Sequence, residues 1–429
     1  MSVAETPSRP SVPLGRARRA RSRRAAAAAS ATLLCVTVAG AAAVATGAPA
    51  SASTTSAAAV ASRNPQRVAL QRSADAAVTA GLVGYVARVD DGRGVTVVVA
   101  GLADRATRRP LGRDDQFEIG SSTKTFMATI ALQLVGEHRL RLTDSVERWL
   151  PGLLPNGRRI TVRDLLQHTS GLFDYTTDPA LGLLTRPGRV WTPQQLVALA
   201  VKHPVSFPPG KGWEYSSTNY IVVGMILQKV TGRTPARLVQ ERIARPLGLH
   251  RTYLVTDVAR DTGPGYAHGY LAALSGSKRT YTDVSGWSLG GWAGAAGAIV
   301  STPSDLARFL SALLSGRLLP AAQLAQMKTV VPASVDGRNA YGLGLARLDS
   351  VCGTVWGHMG GTLGHMSFAF ASPDGRRTLV ADTNIAFSDA APPTDAENAA
   401  GAALKKANQT GLCAMRDEPL PAAAAPQAG

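Results

Sequence analysis

The segment FEIGSSTK, residues 117–124, places a serine and a lysine, Ser121 and Lys124, three positions apart. The run behind it has apolar residues at helical spacing: Phe126, Met127, Ile130, Ala131 and Leu134. Residues three apart on a helix share a face, so the lysine amine is expected beside the serine hydroxyl, where it can take its proton. The segment therefore predicts a nucleophile and its base at the start of a buried helix. A helix cap beside a solvated lysine is the alternative that the tetrapeptide alone leaves open.

Two other serine motifs compete with this assignment. Ser275-Gly276-Ser277-Lys278 repeats the S-x-x-K pattern, but no periodic run follows it, which predicts a solvent loop. Gly286-Trp287-Ser288-Leu289-Gly290 matches G-x-S-x-G, the nucleophile elbow of α/β-hydrolases, which needs a buried strand before the serine and a helix after it. Its flanks are polar on one side and glycine-rich on the other. We therefore predict a Gly/Trp-lined loop near the cleft at this position.

Residues 1–52 have the pattern of a secretory signal peptide. Seven arginines lie within the first 24 residues, an alanine-rich apolar stretch follows, and Ala50-Ser51-Ala52 fits the cleavage rule. The pair Arg23-Arg24 indicates twin-arginine export, but the alanines after it do not fit that signal, so the export route stays open. An uncleaved anchor is the competing interpretation, and the apolar stretch is marginal in length for a span. We predict an exported protein with no stable membrane insertion after cleavage.

The composition indicates a globular chain that does not bind nucleic acid. Of the 429 residues, 45% are hydrophobic, which is ample for a domain of more than one lobe. The net charge is +17, and loss of residues 1–52, with seven arginines and one glutamate, leaves +11. The remaining basic residues are scattered, without an aromatic-interleaved stripe, so no nucleic-acid partner is predicted. Cys352 and Cys413 form either one disulfide, which export allows, or two separate buried thiols.

Strand-like segments occur near both ends of the chain. Residues 82–89 and 95–100 flank a D-G turn, which predicts a hairpin, and strand character returns at 341–348, 365–371 and 378–383. Between them, capping patterns at Thr161, Thr192 and Thr302 predict helices, and an alanine-rich helix is expected at about 395–407.

This order predicts an α+β fold. One antiparallel sheet is built from both chain ends and flanked by helices, and a mostly helical lobe is inserted. The predicted domain spans residues 66–412. A flexible leader at 53–65 precedes it, and a disordered Pro/Ala-rich tail at 413–429 follows it.

Four segments, in order and spacing, resemble the motifs of a known family. They are FEIGSSTK at 117–124, ITVRDLLQHTSGL at 160–172, the run from Pro209-Gly210 to YSSTNY at 215–220, and GHMGG at 357–361. The chain resembles the serine β-lactamase and DD-peptidase superfamily, in particular the branch of class C β-lactamases, DD-carboxypeptidases and related esterases. The resemblance covers about residues 66–412 and implies a β-lactamase/transpeptidase-like fold.

The resemblance also implies roles for individual residues. Ser121 is the expected nucleophile, Lys124 its base, and Tyr215 the group that passes a proton to the leaving group. Gly361 is expected to pair its backbone N–H with that of Ser121 in an oxyanion hole. His358 stands where relatives have lysine or histidine. Burial is expected to destabilise the lysine ammonium, and the nearby cation to favour the phenolate of the tyrosine.

Other positions of these motifs are expected to bind substrate or to be structural. Gly360 lies on the same substrate-binding segment as His358. The second motif is most often Tyr-x-Asn, but this chain has Ser217 in place of the asparagine. A hydroxyl thus replaces an amide that usually contacts the lysine and the substrate, and Asn219 is the candidate to compensate. We interpret His168 as structural, because it ends a capped helix.

The sequence therefore predicts an exported serine hydrolase that works through an acyl-enzyme, without metal or cofactor. The first substrate class is a D-alanyl-D-alanine peptide of the cell wall, cleaved by carboxypeptidase-like chemistry; esters and β-lactams follow. Residues 173–190 and 262–292, which match no motif, are expected to select among them. A non-catalytic penicillin-binding or sensor module is the alternative, and it would lack one of Ser121, Lys124 and Tyr215. The expected partner is a small molecule or a peptidoglycan peptide, and the oligomeric state stays open.

Overall fold

The computed structural model describes residues 65–256, 264–275, 278–334, 337–387 and 394–418. The predicted signal peptide, nearly all of the predicted leader and the end of the predicted tail lie outside these residues. The first half of the described chain contains the following elements: α1 Pro65–Thr79, β1 Gly84–Asp90, β2 Val95–Asp104, β3 Arg109–Pro110, β4 Phe117–Glu118, α2 Thr123–Gly136, α3 Val146–Trp149, α4 Val162–Gln167, α5 Pro193–Ala200, α6 Thr218–Thr231, α7 Pro235–Val239 and α8 Arg245–Leu247.

The second half is richer in strands. Its elements are β5 Tyr253–Leu254, β6 Tyr270–Ser275, β7 Lys278–Asp283, α9 Gly290–Gly297, β8 Ile299–Ser301, α10 Pro303–Leu314, α11 Ala321–Met327, β9 Val331–Pro332, β10 Asn339–Tyr341, β11 Ala346–Ser350, β12 Gly353–Gly361, β13 Met366–Ala371, β14 Thr378–Thr383, β15 Ile385–Phe387 and α12 Asp395–Arg416.

The main sheet joins the two ends of the chain. Its nine strands run in the order β3-β2-β1-β14-β13-β12-β11-β10-β9, and each neighbouring pair is antiparallel. The N-terminal hairpin meets the C-terminal strands where β1 pairs with β14, in a register that sets Tyr85 opposite Thr383. The predicted α+β fold with a sheet built from both ends is therefore confirmed.

The pleat of the sheet separates two cores. Along β13, Phe368 and Phe370 face α1 and α12, whereas Ala369 and Ala371 face the helical lobe. The large side chains thus fill the side covered by the two terminal helices. The small ones let α10 pack closely on the opposite side. In the lobe, α6 packs against α2, α4, α5 and α9, which buries the helix that follows Ser121.

Several local predictions are confirmed, because side chains satisfy the first N–H groups of the helices. Thr161 and Thr192 form complete capping boxes with Asp164 and Gln195. Thr302 caps α10 and is followed by proline at the first helical position. The predicted N-terminal hairpin forms as β1 and β2, with a turn in which Asp91 accepts hydrogen bonds from the backbone of Arg93 and Gly94.

Other local predictions are wrong at their boundaries. The strand expected at 341–348 is two strands, β10 and β11, because Gly344 has a positive φ of 71° and turns the chain between them. The C-terminal helix continues to Arg416, so the first residues of the predicted tail are helical. A disulfide joins Cys352 to Cys413 and ties this helix to the turn before β12.

The stretch after Ser288 is also different from the prediction. Residues 290–297 form α9, a helix with a break at Gly294, where a loop was expected. Ser288 is fully buried, and its Oγ accepts a hydrogen bond from the backbone N–H of Gly291. This serine therefore lies in the protein interior, where its hydroxyl is bonded to the backbone at the start of α9. No helix of the described ranges is both long and apolar enough to cross a membrane.

Candidate active site

Ser121 lies on a sharp turn at the start of α2. Residues Gly120–Ser122 form one turn of 3₁₀-helix, and the α-helix begins only at Thr123. The prediction of a helix starting at Ser121 is therefore wrong by two residues, because Gly120 turns the chain there with a φ of +49°. The turn leaves Ser121 partly exposed at the end of an otherwise buried helix.

Lys124 is fully buried beside this serine. Its Nζ donates hydrogen bonds to Ser121 Oγ at 3.0 Å and to the Ala296 carbonyl oxygen at 2.8 Å. Burial lowers the pKa of Lys124 to about 7, and the carboxylate of Asp174 opposes this effect only in part. A large fraction of the amine is therefore neutral near pH 7. A neutral amine can accept the proton of Ser121.

Tyr215 also faces Ser121, but its ionisation differs from the expectation. Its hydroxyl is buried and makes no hydrogen bond within 3.5 Å to the described residues, while Lys124 Nζ lies 4.9 Å from its ring centroid. Burial raises the pKa of Tyr215 well above its usual range, although the nearby Ser121 lowers it slightly. The expectation that Tyr215 is stabilised as a phenolate is therefore wrong. A lysine that is only partly charged does not outweigh the effect of burial on the phenol.

His168 holds the segment that carries this tyrosine. The two rings lie 4.3 Å apart, and His168 Nδ1 lies 3.2 Å from the Ser216 backbone N–H and 3.1 Å from Asn219 Nδ2. Because two N–H donors point at Nδ1, the ring proton belongs on Nε2. Burial lowers the pKa of His168 well below its ordinary value. The geometry agrees with the structural role inferred for His168.

The two candidates for the missing amide lie in different places. Ser217, at the start of α6, lines the cavity next to Ser121. Asn219 is completely buried, and it contacts His168 through Nδ2 and accepts a hydrogen bond from Ser170 through Oδ1. Both ends of the Asn219 amide are thus engaged by protein groups, and Asn219 lines neither of the two cavities beside Ser121. That it compensates in part for the family amide stays a prediction.

Strand β12 brings the third motif against the nucleophile turn. Ser122 Oγ donates to the carbonyl of His358 at 3.4 Å, and Ser367 on the next strand donates to the carbonyl of Ile119 at 3.0 Å. A Cβ atom on Gly120 would lie 2.6 Å from both N and O of Gly361. A Cβ atom on Gly360 would likewise clash with the backbone of Ile119. The two segments whose N–H groups are expected to form the oxyanion hole are therefore in contact.

His358 is a neutral side chain in this site. Its Nε2 lies 2.9 Å from the hydroxyl of Tyr341, and its Nδ1 hydrogen-bonds to the carbonyl of Met359. Burial and the nearby Lys124 lower the pKa of His358 to about 3. The Nδ1 contact places the ring proton on Nδ1, so Nε2 accepts from Tyr341.

Two cavities meet at Ser121 and Tyr215. The first, of about 330 Å³, is lined by polar and apolar groups that include Asp174, Thr362, Leu363 and Trp292. The second, of about 470 Å³, is mainly apolar and is lined by side chains that include Trp213, Tyr341, Met359, Met366 and Phe370. His358 lines only the second cavity. A substrate that spans both would place its scissile bond at the serine.

The sequence reasoning missed Asp174, Tyr341 and the two methionines. Asp174 begins a short 3₁₀ turn and accepts hydrogen bonds from the backbone N–H and the hydroxyl of Thr176. It lies in residues 173–190, which were expected to select the substrate, but no motif singled out this residue. In the part of the chain that the structure describes, no group of three or more His, Cys, Asp or Glu side chains is placed to hold a metal ion.

Comparisons with known proteins agree with this geometry. The model of the family described as Beta-lactamase matches residues 23–404, which is most of the chain. The chain belongs to the beta-lactamase family. This confirms the resemblance to the superfamily of serine hydrolases that also contains penicillin-binding proteins and D-alanyl-D-alanine carboxypeptidases.

Members of this family that are similar to the chain differ in their activities. Penicillin-binding protein 4* of Bacillus subtilis (strain 168) is 29% identical over 65% of the chain, which spans 63% of that protein. A D-stereospecific amidohydrolase from Streptomyces sp. is 41% identical, with a TM-score of 0.69, over 75% of this chain and 95% of that one. The D-amino acid amidase from Ochrobactrum anthropi SV3, complexed with L-phenylalanine amide, is 31% identical with a TM-score of 0.71, over 80% and 98% of the two chains.

Proposed function

We propose that this protein is an exported serine amidohydrolase that cleaves amides or short peptides of D-amino acids with a free α-ammonium group. The observation that carries the proposal is the position of Ser121, between a cavity that contains the carboxylate of Asp174 and an apolar cavity. A carboxylate that faces a binding cavity is complementary to an ammonium group.

The first half of the reaction forms an acyl-enzyme. The neutral amine of Lys124 takes the proton of Ser121 as Oγ attacks the substrate carbonyl carbon, and the carbonyl electrons move to the oxygen. The backbone N–H groups of Ser121 and Gly361 donate to this oxyanion, and loss of one such donor costs about 3–4 kcal/mol. The C–N bond then breaks as the phenol of Tyr215 gives its proton to the leaving nitrogen. The lysine ammonium returns a proton to the phenolate.

The second half hydrolyses the ester. The same groups activate a water molecule, which attacks the acyl carbon, and the proton returns to Ser121 as the C–O bond breaks. Burial supports the role of Tyr215 as a proton donor, because it keeps the phenol protonated. It also supports the role of Lys124 as a base, because it lowers the pKa of the amine to about 7.

Each of the two cavities is expected to bind one part of the substrate. The leaving group is expected in the apolar cavity, where Tyr215 and His358 both lie. The acyl residue is then expected in the other cavity, with its ammonium at Asp174 and its side chain against Trp292 and Leu183. The names of the amidohydrolase and the amidase, both of which are similar to this chain over three quarters of its length or more, support this substrate class.

The D-alanyl-D-alanine carboxypeptidase activity predicted from the sequence is the second candidate. Such a substrate ends in a carboxylate and requires a cation beside the leaving group. Arg347 lines the apolar cavity, but its Nη2 already lies 2.9 Å from Asp349. The similarity to penicillin-binding protein 4* supports this candidate, and the carboxylate of Asp174 favours the first.

We also infer that the chain is exported. The signal-like residues 1–52 motivate this inference, and the disulfide between Cys352 and Cys413 supports it, because such bonds persist mainly outside the cytoplasm. Fractionation of cells and medium, with sequencing of the N-terminus of the recovered protein, tests it. The expected first residue of protein from the medium or envelope is near Ser53. Retention of residues 1–30 on envelope protein would indicate an uncleaved anchor instead, and protein found only inside the cell would overturn the inference.

A substrate panel separates the two activities. We expect the purified protein to hydrolyse D-phenylalanine amide faster than L-phenylalanine amide, N-acetyl-D-phenylalanine amide, diacetyl-lysyl-D-alanyl-D-alanine or nitrocefin. Asp174→Asn should raise KM for D-phenylalanine amide at least tenfold and leave hydrolysis of 4-nitrophenyl acetate unchanged at pH values well above the pKa of Lys124. Asp75→Asn, on the exposed face of α1, is the control. Preferred cleavage of the D-alanyl-D-alanine peptide, unaffected by Asp174→Asn, would establish the carboxypeptidase instead.

A further inference from the structure

A buried ion pair lies behind the active site and outside both cavities. His365 Nδ1 lies 3.1 Å from Asp382 Oδ2, and the two side chains are 0% and 3% exposed. The pair joins the turn between β12 and β13 to the neighbouring strand β14. None of the steps proposed above uses either residue.

The strand that leads to Ser121 also lies near His365, because the ring centroids of Phe117 and His365 are 6.5 Å apart. Glu118 is buried two residues before Gly120, and its Oε1 accepts a hydrogen bond from the hydroxyl of Tyr266 at 3.2 Å. Burial alone would lower the pKa of His365, but Asp382 and Glu118 together raise it above its ordinary value. Burial raises the pKa of Asp382, which His365 partly offsets. His365 therefore pairs with a carboxylate on the sheet, and its ring lies near the strand that leads to Ser121.

The turn that His365 ends also forms the rim of the active site. The backbone N–H of Thr362 donates to the carbonyl of His365 at 2.9 Å, and Thr362 Oγ1 accepts from the N–H groups of Gly364 and His365. Thr362 and Leu363 line the cavity that contains Asp174, and Gly361 lies beside Ser121. The His365 side chain thus points away from the substrate, while the backbone on its N-terminal side faces it.

We propose that His365 is a positioning residue that fixes the β12–β13 turn, and with it the oxyanion donor of Gly361, relative to the nucleophile turn. It does so by pairing with Asp382 on β14 while its ring packs near Phe117 on β4, with 6.5 Å between the ring centroids. The inference rests on the proposed acyl-enzyme chemistry but not on the identity of the substrate.

The energetics favour positioning over simple stabilisation. An ion pair in a protein interior loses its hydration, and replacement by apolar groups of similar size is often neutral or stabilising. A buried ion pair is therefore most useful where it fixes the relative position of two segments. Here the pair holds one of the two segments that must supply N–H groups to one oxyanion, and an error of about 1 Å in their positions costs about a hundredfold in rate.

The test compares His365→Asn, Asp382→Asn and the double variant His365→Asn/Asp382→Asn in the full chain. The substrate is 4-nitrophenyl acetate, and a fluorophosphonate probe measures acylation of Ser121 independently of turnover. Thermal unfolding establishes the temperature at which each variant is fully folded. His268→Asn is the matched control, because His268 forms a partly exposed pair with Asp283 at 2.7 Å and lines neither cavity.

The expected result is at least a tenfold loss of kcat in His365→Asn, with KM changed less than twofold, while His268→Asn keeps native kinetics. The double variant removes the unpaired buried charge. It should therefore unfold at a higher temperature than either single variant and still show reduced kcat and slower labelling. Variants that unfold earlier but keep native kcat where they are folded would overturn the proposal. So would a double variant with native kinetics. If the native protein itself neither reacts with the probe nor hydrolyses the ester, the proposed function fails instead.

Discussion

Lys124 Nζ lies 3.0 Å from Ser121 Oγ, and no part of the lysine side chain reaches solvent. The fold thus keeps an amine next to a hydroxyl in a place where the charged form of the amine is disfavoured. The carboxylate of Asp174 is too weak an influence to restore the ordinary pKa, which falls to about 7. A base with this pKa is well matched to work near neutral pH.

The first prediction concerns the pH dependence of acylation. Only the neutral amine accepts a proton, so kcat/KM for 4-nitrophenyl acetate should rise with pH and reach half its maximum near pH 7, the pKa of Lys124. His358 does not contribute to this limb, because its pKa is lowered to about 3. Asp174→Asn removes a group that raises the lysine pKa and should shift the midpoint to lower pH. A flat profile between pH 6 and 8 would show that Lys124 is not the base.

The second prediction concerns the stability of the folded protein, which the buried Lys124 lowers. Its pKa is about 7 in the folded state and 10.5 when unperturbed, so the unfolded chain binds more protons between these values and stability rises with pH across that window. Lys124→Met should abolish activity and raise the free energy of unfolding at pH 6 by about 3 kcal/mol, less near pH 10. Urea unfolding at both pH values measures this. Lys202→Met, at an exposed position, is the control and should show no such pH-dependent gain.

Much of the fold was predictable because local signals and tertiary structure agree. Thr161 and Thr192 cap their helices through side chains within three residues, and the D-G turn joins β1 to β2. Strand β12 is different. Its sequence GTVWGHMGG is rich in glycine, which locally indicates a turn. Pairing with β11 and β13 makes it a strand, and contact with the nucleophile turn leaves no room for larger residues at Gly360.

The site was predictable only where a motif contained it. Ser121, Lys124, Tyr215 and His358 meet as the spacing of their motifs implied. Asp174 lies in the segment 173–190 that was expected to select the substrate, but the residue itself was not identified, because the segment has no motif or hydrophobic period. The phenolate was expected from the nearby cation alone. The expectation failed because burial, which no motif records, acts on Tyr215 and Lys124 together.

The third prediction identifies the nucleophile. Ser121→Ala should abolish both labelling by a fluorophosphonate probe and hydrolysis of 4-nitrophenyl acetate. Ser288→Ala should retain both activities where it is folded, because Ser288 is buried and accepts only a backbone N–H. Intact-mass spectrometry after labelling measures the adduct. An adduct on the Ser121→Ala protein would disprove the assignment.

The fourth prediction concerns the glycine before the nucleophile. Gly120 has a φ of +49°, and a Cβ there would lie 2.6 Å from the backbone of Gly361, so Gly120→Ala must push the two segments apart. We expect kcat to fall about 100- to 1,000-fold, the effect of losing one oxyanion donor. Gly188→Ala is the control, because a Cβ at that position meets no atom within 4 Å. Steady-state kinetics on 4-nitrophenyl acetate measure kcat, and circular dichroism verifies that each variant is folded. A near-native kcat in Gly120→Ala would contradict the claim that the close contact of Gly120 with Gly361 is needed for catalysis.

The last prediction concerns the joint action of Lys124 and Tyr215 in proton transfer. The two groups pass the same proton, so their losses should not add. Lys124→Ala and Tyr215→Phe should each lower kcat/KM by about 10²–10⁴-fold, the range for general acid–base groups, and the double variant should be little worse than the poorer single one. Since burial raises the pKa of Tyr215, the phenol stays protonated up to high pH, and the native profile should show no alkaline limb that Tyr215→Phe removes. The measurement is kcat/KM for D-phenylalanine amide, whose leaving nitrogen needs a proton, across pH in all four proteins. Strictly additive losses would mean that Tyr215 acts apart from Lys124, and the proton relay proposed here would then be wrong.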